Sequence, residues 1–150
     1  MLRLSKLADY AAAILVRLGR HGELVAAGVL AAETGMPEPT VAKLLKILAG
    51  AGLVVSLRGA RGGYRIARPL EDISVAALIE AIDGPIAVVA CCDGALCARG
   101  LTCGMYGRWD VVNNTIRQSL SRITLADMAT GEPANPPQLA TPPTPGESLS

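Results

Sequence analysis

All four cysteines of this 150-residue chain lie between positions 91 and 103, in a segment rich in glycine. They are Cys91, Cys92, Cys97 and Cys103. Thiolates are ligands for zinc and for iron–sulfur clusters, and activated thiolates react with oxidants. A group of this kind, with no cysteine elsewhere in the chain, predicts a site of metal binding or of thiol chemistry.

Four interpretations of these cysteines compete. Burial as small hydrophobic residues is disfavoured because a glycine-rich loop is not a core element. Zinc knuckles usually place paired cysteines two to four residues apart, whereas five residues separate Cys91 from Cys97 and Cys97 from Cys103. Metal-free redox sensing is a third interpretation, in which Arg99 and Arg108 lower a thiolate pKa. The fourth, which the pattern favours, is an iron–sulfur cluster, because a flexible loop can surround a group wider than one ion.

The elements that must position this loop follow from apolar periodicity. Helices are expected after Ser5 and ending at Gly19 and Gly22, over residues 25–33, from Pro39 or Thr40 to Gly50, and after the cap Ser74. Short β-branched or aromatic segments at 53–56 and 64–67 flank a glycine-rich turn and predict a hairpin. The order helix, helix, turn, helix, hairpin is that of a winged helix–turn–helix. The predicted fold class is therefore mainly α, with a two-stranded β wing.

A local excess of positive charge accompanies the third helix and the hairpin. Between residues 38 and 68 there are six Lys or Arg residues and a single acid, Glu38. A helix of this kind fits the major groove of DNA, and an arginine at a hairpin tip can enter the minor groove or contact phosphate. The sequence predicts contact with double-stranded DNA through Thr40, Lys43, Lys46, Arg58 and Arg61.

The last apolar pattern predicts an amphipathic helix of roughly six turns over residues 108–129. Its stripe consists of Trp109, Val112, Ile116, Leu120 and Ile123. A helix of this length exceeds what so small a domain needs for its own core, so we expect a dimerisation helix in a homodimer. The proline-rich end, residues 130–150, is expected to be a disordered tail.

Composition excludes several classes of protein. No run approaches the roughly 18 apolar residues of a membrane span. The charged N-terminus "MLRLSKLADY" is not a signal peptide, so we expect a cytoplasmic protein without a membrane partner. The chain shows no glycine-rich phosphate loop and no Ser/His/Asp set, and it has one histidine, His21. We therefore expect no enzyme activity and no small-molecule substrate.

Three segments together carry a resemblance to a known family: "RLSKLADYA", "PTVAKLLKILAGAGLVVSLRGARGGYRIAR" and "CCDGALCARGLTC". Over residues 1–129 the chain resembles the Rrf2 family of winged-helix transcription regulators. It looks most like the regulators of the SUF iron–sulfur assembly system. Gly84-Pro85 before the cysteines and Arg108-Trp109 after them are also similar to that group.

The resemblance implies a functional division of the chain. Residues 1–85 would form the DNA-binding part, 86–107 the cysteine loop and 108–129 the dimerisation helix. Family members of this kind are dimers that bind a palindromic operator with the third helix and the wing. The implied function is a repressor that senses iron–sulfur cluster status and controls assembly genes.

The resemblance also implies the cluster ligands. Its cluster-binding members carry C-x5-C-x5-C, which Cys91, Cys97 and Cys103 match, with [2Fe–2S] expected rather than [4Fe–4S]. Cys92 is an extra thiol that could replace Cys91. One branch uses a His three residues after the last cysteine, where this chain has Tyr106. Another branch uses an Asp of the other subunit near the N-terminus, with which Asp9 aligns, so the fourth ligand stays open.

Two other functions remain open from the sequence. The first is a transcription regulator that senses nitric oxide or the thiol redox state. The second, of another class, is a cluster-carrying or thiol-redox protein that does not bind DNA. The basic face of the third helix and of the hairpin argues against this second function.

Overall fold

The computed structural model describes residues 2–95 and 97–131. Its helices and strands follow the predicted order, and their bounds are α1 Lys6–His21, α2 Ala27–Thr34, α3 Glu38–Gly50, β1 Val54–Leu57, β2 Gly63–Ile66, α4 Val75–Asp83, α5 Asp110–Arg122 and α6 Leu125–Thr130. Short 3-10 turns lie at Leu70–Asp72, Ala90–Cys92 and Gly100–Thr102. A mainly helical fold with a two-stranded wing is confirmed.

The helix caps read from the sequence are largely confirmed. The Ser5 hydroxyl accepts from the N–H of Ala8 at 3.0 Å, and the Ser74 hydroxyl accepts from the N–H of Ala77 at 3.1 Å. Gly22 ends α1 with a left-handed backbone, φ 65°, a conformation that costs glycine little. Gly19 does not end α1, because it lies within the helix. A β-carbon at Gly19 would lie 2.7 Å from the Leu70 side chain, so the missing side chain permits close packing there.

The core is aliphatic and is formed mainly by α1, α3 and α4. Most of the periodic apolar residues of these helices are buried, and those with no exposed surface are Ala11, Ile14, Leu15, Val41, Leu44, Leu45 and Leu48. Their spacing at three and four residues places them on one face of each helix. The opposite face of α3 is thereby turned to solvent.

The wing is anchored to the segment between α1 and α2. Strands β1 and β2 pair antiparallel, with Val54 opposite Ile66 and Leu57 opposite Gly63. Val25 adds one further bridge, because its N–H donates to Tyr64 O and the Tyr64 N–H donates to Val25 O, both at 2.8 Å. Gly63 makes this approach possible, since a β-carbon there would lie 2.8 Å from the Val25 oxygen.

The single helix expected over residues 108–129 is divided into α5 and α6. Ile123 has an extended backbone, and its carbonyl accepts from the N–H of Val75 at 2.9 Å. Thr124 then caps α6 in a capping box with Asp127. The Leu125 N–H donates to Ile73 O at 2.9 Å, and the Leu125 side chain is fully buried. Helix α5 therefore ends at Arg122, and the turn that follows it brings the Leu125 side chain back into the core.

The end of the chain lies mostly outside the described residues. Thr130, which the sequence placed in the tail, is the last residue of α6. The expected disorder of the tail concerns residues 132–150, which the structure does not describe. Within residues 2–95 and 97–131, no helix is long and apolar enough to cross a membrane.

Candidate DNA-binding face and cysteine cavity

Helix α3 presents a basic outer face. Lys43 and Lys46 are exposed, and Thr40 in the first turns is half-buried. Proline in the first turn costs the helix no hydrogen bond, and Pro39 occupies that part of α3. The inner face of α3 belongs to the core, so the geometry leaves the outer face as the one that a large ligand can reach.

The wing extends this face. Lys46 of α3 and Arg58 of the wing line one open groove of about 550 Å³, together with Ser56 and Tyr64. Arg61 is exposed in the turn of the wing, outside the lining of the groove. Within the described residues, neither ion pair involves a side chain of this groove. The lysines and arginines named from the sequence are thus directed to solvent.

Three of the four cysteines line a common cavity. This cysteine cavity has a volume of about 160 Å³ and mostly apolar walls. Its lining residues are Val89, Ala90, Cys91, Cys97, Cys103, Met105, Tyr106 and Trp109. The three thiols are half-buried and form no disulfide. The sequence spacing C-x5-C-x5-C thus corresponds to three thiols around one space.

Cys92 is held outside the cysteine cavity. Its Sγ donates to Asp110 Oδ1 at 3.4 Å, at the start of α5. Burial, followed by this hydrogen bond, raises the pKa of the Cys92 thiol. A thiol with a raised pKa is a weaker ligand and nucleophile at neutral pH. Neither Arg99 nor Arg108 is among the causes of this shift, and metal-free redox sensing stays a prediction.

The cysteine cavity has the donors of a thiolate-ligated group without the geometry of a single-ion site. In the part of the chain that the structure describes, no three His, Cys, Asp or Glu side chains are close enough to hold one metal ion. Zinc requires four ligands at about 2.0–2.3 Å. An iron–sulfur cluster is wider, and its ligands stand further apart. Three thiols around one mostly apolar cavity are donors of the type that iron–sulfur clusters take.

Of the two positions considered for the fourth ligand, the structure places Tyr106 at the cysteine cavity and Asp9 away from it. Tyr106 lines the cysteine cavity beside the thiols. Asp9 is exposed on α1 and does not line the cavity of its own protomer. Either role for Asp9, as a surface residue or as a ligand supplied to a second subunit, stays a prediction.

Sequence reasoning missed two residues that hold the loop. Asn113 of α5 is buried, and its Oδ1 accepts from the N–H of Val88 at 2.9 Å. Asp110 accepts from the Cys92 thiol, as described above. The available signal was a polar residue at helical spacing from Trp109 and Ile116. A polar residue within an apolar stripe indicates a buried hydrogen bond.

The helix–turn–helix, the anchored wing and the basic face define a class of protein: the winged-helix transcription regulators. The chain belongs to the Rrf2 family, whose model, described as an iron-dependent transcriptional regulator, matches residues 4–131. The predicted family is thereby confirmed, and the protein is a regulator rather than an enzyme.

Named relatives are regulators of the helix–turn–helix type. A Mycobacterium tuberculosis protein named as such a regulator, Rv1287, is 37% identical over 93% of this chain and 89% of its own length. The regulator IscR of Photobacterium profundum is 29% identical over 85% of this chain and 75% of its own length.

Solved structures show the same fold. IscR of T. potens superimposes with a TM-score of 0.62 and 32% identity, covering 85% of each chain. CymR, the global cysteine regulator of B. subtilis, has a TM-score of 0.67 and 25% identity, covering 86% of this chain and 97% of its own.

Proposed function

We propose that this protein is a homodimeric repressor that senses iron–sulfur cluster status and controls iron–sulfur assembly genes, such as those of the SUF system. The convergence of Cys91, Cys97 and Cys103 on one cavity carries the proposal. The family description, which names iron, and the sequence resemblance to assembly regulators support it. The site of action would be the cytoplasm, where the operator DNA lies.

The structure favours a particular choice of ligands. Cys91 lines the cysteine cavity, whereas the adjacent Cys92 donates to Asp110 outside it. Cys91, Cys97 and Cys103 would therefore hold the cluster, for which we expect the [2Fe–2S] type. A bound cluster would supply a centre that oxidants, nitric oxide or iron loss can remove. The apolar walls of the cavity limit the access of water to the three thiolates.

The operator would be read by α3 and the wing. Thr40, Lys43 and Lys46 would face the major groove, and Arg58 and Arg61 would contact phosphates or the adjacent minor groove. Lys46 and Arg58 line one groove, so one duplex could contact both elements at once. This basic surface favours DNA over the alternative of a cluster carrier without a nucleic-acid ligand.

An uncovered apolar surface supports a second copy of the chain. Trp109, Val112 and Ile123 of the predicted stripe are at least 40% exposed. A groove of about 340 Å³ lies beside this surface, between residues 2–4, α4 and α5. Its apolar lining includes Leu2, Leu4, Ile79, Ile116 and Leu120. A two-fold dimer through these residues would place two copies of α3 on a palindromic site.

The switch would be a shift between two arrangements of the dimer. Ligation would order the cysteine loop and fix the spacing of the two α3 helices. Loss of the cluster would relax the loop and change operator affinity. Such a shift is limited by the difference in cluster affinity between the two arrangements.

Anaerobic purification followed by visible spectroscopy, with iron and sulfide assayed per chain, tests the cluster. We expect charge-transfer bands in the wild type and in Cys92→Ala, and none in Cys97→Ala. Cys92 is the matched control, because its thiol lies in the same loop outside the cavity. Bands of full intensity in Cys97→Ala would contradict the ligand assignment. A wild-type protein that is colourless after reconstitution with iron and sulfide would contradict the sensing function.

A further inference from the structure

The cysteine loop is fastened to the first turn of α5 at two points. The N–H of Val88 donates to Asn113 Oδ1 at 2.9 Å, and the thiol of Cys92 donates to Asp110 Oδ1 at 3.4 Å. Positions 110 and 113 lie on the same face of a helix. Between the two contacts, residues 89–91 form one wall of the cysteine cavity. A movement of that wall therefore acts on α5.

Asn113 forms the stronger of the two contacts. It is 6% exposed and is the one buried polar side chain among the residues that the structure describes. Within the same residues, no buried side-chain nitrogen or oxygen lacks a partner. Separating Val88 from Asn113 would leave a buried polar group unsatisfied, which costs more than the loss of an exposed hydrogen bond. The contact thus resists movement of the loop relative to α5.

Helix α5 is in turn connected to α4 at two places. Arg117 of α5 pairs with Glu80 of α4 at 3.0 Å. At the other end of α5, the Ile123 carbonyl accepts from the N–H of Val75, the first residue of α4. A hydrogen-bonded helix moves largely as one body. Displacement of the first turn of α5 would therefore reach α4 and the core that supports α3.

We propose that Asn113, assisted by Asp110, is the positioning residue that couples the cysteine cavity to operator binding. This inference rests on the proposed function, because it concerns how cluster occupancy changes DNA affinity. Asn113 lines neither the cysteine cavity nor the groove formed by α3 and the wing. Its role is to transmit the position of residues 88–92 to α5.

The test compares three proteins, each measured with and without reconstituted cluster: the wild type, Asn113→Ala and Asn114→Ala. Asn114 is the matched control, because it is the adjacent asparagine of α5 and is exposed. The quantity compared is the ratio of operator Kd between the cluster-free and cluster-loaded forms. In Asn113→Ala we expect this ratio to be about tenfold closer to one than in the wild type, while the visible absorbance of the cluster is retained. In Asn114→Ala we expect the wild-type ratio.

The fluorescence of Trp109, the only tryptophan, provides a readout independent of the cluster. Trp109 lines the cysteine cavity and immediately precedes α5. Its emission in the cluster-free protein should change in Asn113→Ala and not in Asn114→Ala. If Asn113→Ala fails to fold, Asp110→Ala takes its place, because Asp110 is exposed and its loss leaves the core intact. That variant should lower the Kd ratio by about threefold, since a thiol is a weak donor.

The outcomes separate the two proposals. A wild-type ratio above one that persists in Asn113→Ala, with unchanged Trp109 emission, would overturn the coupling role and leave the sensing function standing. A wild-type ratio of one, or a wild type that binds no cluster, would contradict the sensing function and the coupling role together.

Discussion

At the scale of single residues, the structure separates side chains that the sequence could only group. The C-x5-C-x5-C spacing favoured Cys91, Cys97 and Cys103 and kept Cys92 as a possible substitute for Cys91. The structure adds Asp110, eighteen positions beyond Cys92, which accepts a hydrogen bond from the Cys92 thiol outside the cavity. A contact of this range leaves no periodic signal in the sequence, whereas the basic residues of α3 followed directly from helical spacing.

Arg58 provides the residue-level prediction for DNA binding. Arg58→Ala should weaken operator binding about tenfold and reduce the slope of log K against log salt by about one, because one phosphate contact is lost. Fluorescence anisotropy with a labelled operator at several salt concentrations measures both effects. Arg17→Ala is the control, since Arg17 is an exposed arginine on α1 outside the groove. Equal losses in the two variants would show that Arg58 acts only through net charge.

At the scale of elements, the wing was predictable as a hairpin but its anchoring was not. The residue types of 53–56 and 64–67 indicated two strands, and the observed strands lie within a residue of those bounds. The bridge from Val25 was not predicted, because a single pair of backbone hydrogen bonds has no sequence period. The close approach of Gly63 to the Val25 carbonyl explains why a glycine is needed there.

Gly63→Ala tests this anchoring. Its β-carbon would meet the Val25 backbone, so the substitution should lower the free energy of unfolding by about 1–3 kcal/mol. Gly50→Ala is the opposite control: Gly50 is in α3, and nothing beyond its own helix lies within 4 Å of the place where a β-carbon would stand. Alanine at position 50 should be neutral or stabilise by about 0.5–1 kcal/mol. Urea unfolding compares the two variants. A Gly63→Ala protein as stable as the wild type would mean that the wing does not depend on Val25.

The start of α6 has a prediction of its own. Thr124→Ala removes the hydroxyl that caps the N–H of Asp127 and should lower the free energy of unfolding by about 1 kcal/mol at neutral pH. Thr115→Ala is the control, because the Thr115 hydroxyl bonds only to a carbonyl within α5. Thermal unfolding measures both variants. Equal melting temperatures for Thr124→Ala and Thr115→Ala would show that the cap does not contribute to the stability of α6.

The same capping box gives α6 an acid dependence. Hydrogen bonds from Thr124 lower the pKa of Asp127. A carboxyl whose pKa is lowered on folding stabilises the native state above its usual pKa, and this contribution is lost as the pH falls through the lowered value. The contribution of the Asp127 carboxylate is therefore complete at neutral pH and is lost in acid, where the wild type and Asp127→Asn should converge in stability.

At the scale of the whole molecule, the apolar stripe of α5 is the feature that a single protomer leaves uncovered. Val112→Glu should convert the proposed homodimer to a monomer, because it would place a charge in the proposed apolar interface, where Val112 is 42% exposed in a single chain. Sedimentation velocity measures the mass, and circular dichroism verifies the fold. Gln118→Glu, at an exposed position of the same helix, is the control. A dimeric Val112→Glu protein would place the interface elsewhere.

Sequence reasoning described the fold class well and the final helix poorly. Periodicity extended through Ile123 without a visible break, because Thr124 is compatible with a helix interior as well as with a cap. What divides the helix is the pairing of Ile123 and Leu125 with the start of α4. Long-range backbone pairing of this kind overrides local propensity.

The burial of Leu125 has a consequence for how the chain can be shortened. The residue belongs to the same core as α1 and α3, although the cysteine loop and α5 separate it from them along the sequence. A fragment ending at residue 85 would lack this side chain and leave a cavity, a defect that commonly costs about 2–5 kcal/mol. The shortest piece that folds autonomously should therefore extend to about residue 130. Loss of the C-terminal piece after a cut within the cysteine loop would therefore destabilise the part that carries the basic face and weaken operator binding.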